Sequence, residues 1–267
     1  MIDLNKLSTL PPAGHPSKAK MDKAVDEMKS RLFELQNILY AQHKYSVLVI
    51  LQGMDASGKD GLVNHAFSGI NPAGVRVYSW KKPTETEADH DFLWRIHQAV
   101  PAKGMIHIFN RSHYEDILVP TVFGTLDPEV VEKRYKMINQ FEHLLTESGT
   151  LILKFYLHVS EKEQLERLKE RLTIPEKKWK YDGRDILTIK NRQEFLETYA
   201  KIFKRCSRFA PWHIIPTDKN RYKEYLTLKI MLEAMEKLPL SYPAKLPKDA
   251  AKAPAKLARL ADAEAKK

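Results

Sequence analysis

The chain has 267 residues and a formal net charge of +10, and 43% of its residues are hydrophobic. This composition excludes a disordered chain and predicts a globular protein with one large α/β domain. A single cysteine, Cys206, excludes an intrachain disulfide and favours a reducing compartment. We expect a cytoplasmic protein, because no signal peptide is visible and the longest apolar run, Val47–Leu51, is too short to span a bilayer.

The first elements lead to a short buried strand. Residues 1–19 are rich in proline and predict an extended arm. Hydrophobic side chains at helical spacing then predict a helix over Met21–Tyr40. The β-branched run Tyr45–Leu51 predicts a buried parallel strand that ends at Gly53, and a helix follows from about Lys59.

The strand-then-helix unit repeats along the rest of the chain. Four further strands are predicted, at Val75–Trp80, Met105–Asn110, Leu151–His158 and His213–Ile215. Further helices are predicted near Ala88–Ala99, Glu129–Ser148, Lys162–Leu172, Ile189–Ser207 and Tyr222–Lys237. The alternation predicts an α/β domain over residues 20–240, with a parallel sheet that helices cover on both faces.

Two segments lack this periodicity. Thr173–Asp185 is polar and basic, and it predicts a loop or a basic lid over about residues 171–185. Residues 241–267 are rich in alanine and lysine, and they predict a disordered tail.

A phosphate-binding loop is predicted between the first strand and its helix. Gly53 to Lys59 fit the pattern G-x-x-x-x-G-K, with Met54, Asp55, Ala56 and Ser57 before Gly58. Glycines at these positions let backbone N–H groups surround phosphate oxygens, and the lysine reaches the same phosphates. We therefore expect Gly53, Met54, Ala56, Ser57, Gly58 and Gly61 to contribute to phosphate or nucleotide binding, with Lys59 in a catalytic role.

Two carboxylates make this loop unusual. Asp60 follows the lysine, where a serine or threonine usually binds Mg²⁺. Asp55 is a candidate Mg²⁺ ligand or acceptor-positioning base, with helix capping as the alternative. Asp60 either holds Mg²⁺ through water or favours the helix N-terminus. We predict a requirement for Mg²⁺ or Mn²⁺, with Asp55 and Asp60 as candidate ligands.

A second polar group follows the strand that ends at Asn110. Arg111 lies just beyond that end, where open α/β sheets place their ligands. A guanidinium there can hold a phosphate at two points, with a surface ion pair as the alternative. Glu115 and Asp116 are candidates to hold metal or nucleotide, or to cap a helix or pair with an arginine. His113 favours a structural hydrogen bond over metal ligation, because no second histidine or cysteine is spaced to join it.

Basic residues cluster at two further places. Lys81 and Lys82 follow the second strand and are candidates to bind acceptor phosphates, with a solvated turn as the alternative. The lid segment carries a dense positive cluster that is expected to hold a polyanion by charge, with a solvated face as the alternative. Trp179 either stacks on a base or anchors the lid. The lid candidates are Arg171, Lys177, Lys178, Trp179, Lys180 and Arg184.

Three stretches together resemble the second family of polyphosphate kinases, which is related by fold to thymidylate kinase. They are Gly53–Gly61, including the aspartate after the lysine, Phe109–Asp116 and Ala210–Asp218. Lesser matches are Lys154–Ser160 and Pro175–Tyr181, and the resemblance extends over about residues 20–240.

The resemblance implies transfer of phosphoryl groups between inorganic polyphosphate and purine nucleotides, with Mg²⁺. Many members of the family have aspartate where this chain has Asn110. The pattern of His113, Glu115 and Asp116 is similar to the branch that accepts both AMP and ADP. The departure at Asn110 moves the base and metal roles towards Glu115 and Asp116, and Asn110 and His113 are carried over as phosphate- or nucleotide-binding positions.

Two other functions compete with a polyphosphate-dependent nucleotide kinase. An ATP-dependent kinase of the thymidylate type would need no track for a long polyanion, so Asp60 and the basic lid count against it. A nucleic-acid-binding P-loop ATPase is permitted by the charge, but no stacking platform or groove-reading motif accompanies it. We expect no nucleic-acid or membrane partner, and the resemblance implies a homo-oligomer, either a dimer or a tetramer.

Overall fold

A computed structural model describes residues 2–181, 183, 185–244 and 257 of the chain. Its centre is a parallel sheet of five strands in the order β2-β3-β1-β4-β5. The strands match the sequence predictions to within one or two residues. They are β1 (Ser46–Gly53), β2 (Val75–Ser79), β3 (Ile106–Asn110), β4 (Thr150–His158) and β5 (Trp212–Pro216).

Helices connect the strands and cover both faces of the sheet, as predicted. The longer ones are α1 (Lys18–Gln42), α2 (Lys59–Ala66), α5 (Glu115–Phe123), α6 (Pro128–Glu147), α7 (Glu161–Thr173), α9 (Arg192–Arg205) and α10 (Asn220–Met235). Three are shorter, α3 (Glu85–Ala88), α4 (Trp94–Gln98) and α8 (Asp185–Lys190). In the described part of the chain, no helix is long and apolar enough to cross a membrane.

The two faces of β1 belong to two different hydrophobic cores. Leu48 and Ile50 pack with residues of α4, α5, α6 and α9, whereas Val47, Val49 and Leu51 pack with residues of α1, α2 and α10. Burial on both faces explains why the strand is a continuous apolar run rather than an alternating one. Packing on both faces holds β1 in place and thereby positions the loop at its carboxyl end.

Several sequence predictions about helices are corrected. The helix predicted near Ala88–Ala99 is two short helices, because Asp91 Oδ1 accepts a hydrogen bond from Leu93 N at 2.9 Å and forms a turn between them. The helix predicted near Ile189–Ser207 is interrupted between α8 and α9, at Asn191. Helix α5 was not predicted, because it is short and contains Pro120.

The N-terminal arm and the lid have more structure than their composition indicates. In the predicted arm, Leu4–Lys6 form a short 3₁₀ helix, and Leu4 is buried in the core that contains α9. In the predicted lid, Pro175–Lys180 form a second 3₁₀ helix. Arg184 of the lid and residues 245–256 and 258–267 of the predicted tail lie outside the described residues.

Candidate active site

The loop between β1 and α2 has the backbone of a phosphate-binding loop. Gly53, Ala56 and Gly58 have φ angles of 152°, 61° and 91°. A Cβ atom on Gly53 would lie 2.8 Å from the carbonyl oxygen of Leu157 in β4, so only glycine allows this close approach. Ala56 is held in a left-handed conformation that costs a non-glycine residue energy, a feature concentrated at functional sites.

Lys59 folds back over the loop. Its Nζ atom donates hydrogen bonds to the carbonyl oxygens of Gly53 at 2.7 Å and Met54 at 3.0 Å. The residue is only 8% exposed, and no carboxylate of the described residues lies within 4.0 Å of Nζ. Burial, and then the nearby Arg111, lower the pKa of Lys59 to about 8. A buried cation without a carboxylate partner is suited to receive a phosphate oxygen.

Side chains of two distant helices hold the carbonyl groups of the loop. Gln164 Nε2 donates to Asp55 O at 3.0 Å, and Arg167 Nη1 donates to Ala56 O at 3.1 Å, both from α7. Lys223 Nζ of α10 donates to Gly58 O at 3.2 Å. These bonds leave the loop rigid before any ligand arrives, which favours strong binding of an anion.

Asp55 and Arg111 form an ion pair at the mouth of the loop. Arg111 Nη2 lies 2.6 Å from Asp55 Oδ1, and Thr188 Oγ1 donates to Asp55 Oδ2 at 2.7 Å. Burial raises the pKa of Asp55, but Arg111 and Lys59 outweigh that effect and leave it below its ordinary value. Arg111 Nη1 also lies 3.8 Å from Glu115 Oε2, so the guanidinium joins two carboxylates.

Asp60 and Asn110 are joined by a hydrogen bond. Asn110 Nδ2 donates to Asp60 Oδ1 at 2.7 Å. Asp60 lies in the first turn of α2, and Asn110 ends β3, so the bond joins the loop to the neighbouring strand. The amide at position 110 therefore neutralises no charge and instead orients the carboxylate that follows Lys59.

Two cavities meet at the ion pair. An open cleft of about 1450 Å³ and a smaller cavity of about 620 Å³ share five lining residues, which are Asp55, Trp80, Lys81, Lys82 and Arg111. Among other predicted site residues, the open cleft is lined by Ala56, Gly58, Lys59, Asp60, Gly61, Asn110, Arg171, Lys177, Trp179 and Lys180. The smaller cavity is lined by Gly53, Met54, Glu115 and Asp116.

Three described residues of the predicted site line neither cavity. Ser57 is fully buried within the loop, and Lys178 is exposed outside the lining of the cleft. His113 is fully buried, with Nε2 3.6 Å from Glu142 Oε1 and its ring against Phe141. This placement gives His113 no surface for a phosphate and agrees with the structural alternative.

Glu142 also belongs to a buried ion pair beneath the site. Lys154 Nζ lies 2.6 Å from Glu142 Oε2 and 2.9 Å from the Tyr114 hydroxyl oxygen. Burial raises the pKa of Glu142, but Lys154 and His113 together outweigh that effect and lower it, so the carboxyl group is ionised. Burial lowers the pKa of His113, which keeps the imidazole neutral beside this pair.

Several lining residues lie outside every motif of the sequence. Arg167, Asn220, Arg221 and Lys223 line the open cleft, and α7 and α10 supply them. Phe123, Phe195, Tyr199 and Arg95 line the smaller cavity. The one available signal was the pair Gln164 and Arg167, polar residues three positions apart on one face of an amphipathic helix.

Burial also shifts the pKa of Asp116 in the smaller cavity. It raises the pKa of this carboxyl group to about 6, although Arg95 and Arg134 favour the charged form. Arg95 Nη2 lies 3.8 Å from Asp116 Oδ2. The cavity therefore contains a carboxyl group and a guanidinium close to each other, next to apolar side chains.

Comparison with known proteins finds similarity over most of the chain. A family model described as Polyphosphate kinase 2 matches residues 15–241. The AMP/ADP-polyphosphate phosphotransferase of Meiothermus ruber is 47% identical over 222 residues, which are 83% of each chain. The ADP-polyphosphate phosphotransferase of Rhodopseudomonas palustris is 37% identical and covers 92% of this chain and 90% of its own.

A solved structure agrees with the sequence comparisons. The polyphosphate kinase 2 of Arthrobacter aurescens superposes with a TM-score of 0.88 at 37% identity, over 95% of this chain and 92% of that one. The motifs at 53–61, 109–116 and 210–218 therefore lie within a fold that is similar along nearly its whole length. The chain belongs to the polyphosphate kinase 2 family of phosphotransferases.

Proposed function

We propose that the protein transfers phosphoryl groups between inorganic polyphosphate and AMP or ADP, forming ADP and ATP in a reversible reaction. The observation that carries this proposal is the meeting of two cavities at Asp55 and Arg111, directly at the phosphate loop. A donor and an acceptor that enter from different sides would place their reacting phosphates at this junction. Positioning of that kind is the main requirement of phosphoryl transfer.

The open cleft has the chemistry of a polyphosphate site. Its cations come from the loop, from the lid and from α10, and they extend well beyond one phosphate group. Its acidic lining residues include Asp60, Glu170 and Glu224, of which Glu170 is paired with Lys177 at 2.6 Å. A long basic track can bind a repeating anion without any sequence readout.

The smaller cavity has the chemistry of a nucleotide site. Its apolar lining includes Leu118, Phe123, Phe195 and Tyr199, which suit a nucleoside. Lys81 and Lys82 line both cavities, where they suit its phosphates. The names of the Meiothermus ruber and Rhodopseudomonas palustris relatives support AMP and ADP as acceptors. A relative from Pseudomonas aeruginosa named GDP-polyphosphate phosphotransferase makes guanine nucleotides a further acceptor to test.

The residues at the junction fit Mg²⁺ or Mn²⁺. Among the described residues, no group of three or more histidine, cysteine or carboxylate side chains could hold a metal ion. Mg²⁺ is commonly held by one or two carboxylates together with substrate phosphates, which needs no such group. We propose Asp55 and Asp60 as those carboxylates, and the metal would neutralise charge on the phosphate oxygens.

The charged side chains around the junction would position the reacting groups and neutralise their charge. Lys59 and Arg111 would hold the oxygens of the transferred group, and the left-handed φ of 67° at Arg111 directs the chain sharply away from β3. Asp55 would keep Arg111 in place and help to position the acceptor. Glu115, paired with the other side of the guanidinium, would fix its second edge.

One assay tests the function directly. The purified protein is given long-chain polyphosphate and ADP with Mg²⁺, with every nucleoside triphosphate excluded, and ATP is measured over time. We expect ATP to form, and AMP in place of ADP to yield ADP. Absence of both products, in a preparation that transfers phosphate from ATP to a nucleotide, would instead support the thymidylate-type alternative.

We also propose a cytoplasmic homo-oligomer, a dimer or a tetramer, without a nucleic-acid partner. The single cysteine is buried and suits a reducing compartment. Helix α1 packs on α10 through its inner face, while Phe33 and Tyr40, seven positions apart, are exposed on its outer side. Light scattering during size-exclusion chromatography measures the mass, and a monomer would contradict this assembly.

A further inference from the structure

Lys223 reaches the phosphate loop from the far end of the chain. It lies in the first turn of α10, is 3% exposed and lines the open cleft. Its Nζ atom donates to Gly58 O at 3.2 Å and to Asn220 Oδ1 at 2.9 Å. The ammonium group is therefore at the second glycine of the loop, whereas that of Lys59 is at the first.

Among the described residues, no carboxylate forms an ion pair with this ammonium group. Within the described residues, no carboxylate oxygen lies within 4.0 Å of Lys223 Nζ, and both hydrogen-bond acceptors are uncharged. Burial, followed by the neighbouring Arg167, lowers the pKa of Lys223 to about 8. Keeping an unpaired cation out of water is costly, which indicates that the compensating anion is a ligand.

Gly58 leaves the space that this contact occupies. A Cβ atom on Gly58 would lie 2.6 Å from Lys223 Nζ and 3.3 Å from Arg167 Nη1. The absence of a side chain at position 58 therefore admits two cations to the backbone as well as a φ of 91°. Arg167 is already paired with Glu163 through Nε at 2.9 Å, so Lys223 carries the charge without a carboxylate partner.

We propose that Lys223 is a second phosphate-binding lysine of the loop, which holds a unit of the polyphosphate chain beyond the one that Lys59 contacts. This inference rests on the proposed function. Two lysines at opposite ends of one loop match a donor with many adjacent phosphates better than a donor with one reacting group. Lys223 would therefore contribute to the affinity for polyphosphate and not to the affinity for the nucleotide acceptor.

The experiment compares Lys223→Gln and Lys223→Arg with wild type. Glutamine keeps a hydrogen-bond donor for Gly58 O and removes the charge, whereas arginine keeps the charge. Lys229→Gln is the matched control, because Lys229 lies on the same helix, is exposed and is 3.9 Å from Glu233. The dissociation constant of polyphosphate is measured by titration calorimetry without nucleotide, and KM and kcat are measured for polyphosphate and ADP.

We expect Lys223→Gln to weaken polyphosphate binding about tenfold, the effect of losing one charge-assisted contact. The KM for ADP should stay unchanged, Lys223→Arg should restore most of the affinity, and Lys229→Gln should behave as wild type. Wild-type polyphosphate affinity in Lys223→Gln would overturn the proposal. A lower kcat with an unchanged dissociation constant would also overturn it, since that result assigns Lys223 to loop positioning alone.

Two further measurements keep the test decisive. If Lys223→Gln is too unstable to purify, proton uptake on polyphosphate binding is compared between wild type and Lys223→Arg at about pH 8. Arginine does not titrate there, so uptake should fall, and equal uptake would overturn the proposal. If wild type transfers nothing from polyphosphate to nucleotides, the proposed function fails, whereas weaker polyphosphate binding by Lys223→Gln would still support this site.

Discussion

Arg111 Nη2 lies 2.6 Å from Asp55 Oδ1, and this contact joins the carboxyl ends of two neighbouring strands. Pairing of β1 with β3 places Leu51 opposite Asn110, and Arg111 N donates to Leu51 O at 2.9 Å. The parallel register thus brings together two charges that are 56 residues apart in sequence. The cleft and the smaller cavity meet at this pair, so its loss should affect donor and acceptor together.

Lys59→Ala should abolish transfer without unfolding the protein. The lysine supplies the cation inside the loop, and removing one preorganised donor to developing negative charge costs about 10²–10³-fold in kcat. The measurement is the initial rate of ATP formation from polyphosphate and ADP, with circular dichroism and thermal unfolding as checks on the fold. Lys133→Ala on the exposed side of α6 is the control. Retention of more than about a tenth of wild-type kcat would remove Lys59 from the reaction.

Asp55→Asn should raise the concentration of Mg²⁺ that gives half-maximal activity, or remove activity altogether. The change keeps the size of the side chain but removes the charge that would bind metal and that holds Arg111. Titration with Mg²⁺ and with Mn²⁺ at saturating substrates measures the requirement. Asp26→Asn, on the exposed side of α1, is the matched control. Identical metal curves for wild type and Asp55→Asn would exclude Asp55 from the metal site.

The kcat/KM for polyphosphate should fall as pH rises through about 8. Lys59 has a pKa lowered to about 8 in the folded protein, so its ammonium group is present below that pH and is lost above it. Lys223, also at about 8, loses its proton over the same range. The pH profile of kcat/KM reports these groups in the free enzyme. A profile that stays flat to about pH 10, the ordinary range of lysine, would contradict the lowered pKa values.

The lowered pKa of Lys59 also makes the stability of the fold depend on pH. Because the folded pKa of Lys59 lies below its ordinary value, burial of the charged lysine opposes folding at pH values below the unfolded pKa. A bound anion removes that penalty while the lysine is protonated. Polyphosphate should therefore raise the melting temperature more at about pH 7 than at about pH 9.

Lys180→Ala should raise the KM for long polyphosphate more than Lys178→Ala does. Lys180 lines the open cleft, whereas its neighbour Lys178 does not. Trp179 between them is 77% exposed, and the segment is tied to α7 by Arg171 Nη1, which donates to Lys180 O at 3.3 Å. Lys178→Ala is therefore a charge-matched control. Equal effects of the two changes would mean that the lid attracts polyphosphate by its total charge alone.

The difference in KM for polyphosphate between Lys180→Ala and Lys178→Ala should depend on salt concentration. Exposed charges are screened over roughly 8 Å at physiological ionic strength, so the contribution of Lys180 should weaken as salt is added. By analogy with other polyanions, losing one contact reduces the salt slope of binding by about one unit or less. A rise in the KM for ADP instead of polyphosphate would place the lid over the nucleotide.

Lys154→Met should destabilise the fold by roughly 3–5 kcal/mol, because it leaves the Glu142 carboxylate buried and unpaired. Replacing both partners, as in Lys154→Met with Glu142→Leu, should recover most of that loss. Urea denaturation measures the free energy of unfolding of both variants. A single variant that loses less than about 1 kcal/mol would show that water or Tyr114 compensates the carboxylate.

The sequence predicted the elements that depend on local pattern. All five strands were predicted to within one or two residues. In β1, burial on both faces gives a continuous apolar run. The helix predicted near Ala88–Ala99 is divided by a turn at Asp91, and the helix Glu115–Phe123 was not predicted, because it is short and contains Pro120. Short helices of this kind owe their stability to packing, which periodicity does not record.

The residues of the loop and the family motifs were identifiable from the chain itself, because their spacing sets the backbone shape that phosphate requires. The partners of the loop were decided by the tertiary structure. Thr188 contacts Asp55 across 133 residues, and Lys223 contacts Gly58 across 165. Contacts at such separations depend on where the fold places α8 and α10, so no local sequence pattern predicts them. The sequence therefore identified a phosphate site, and only folding determined which distant charges complete it.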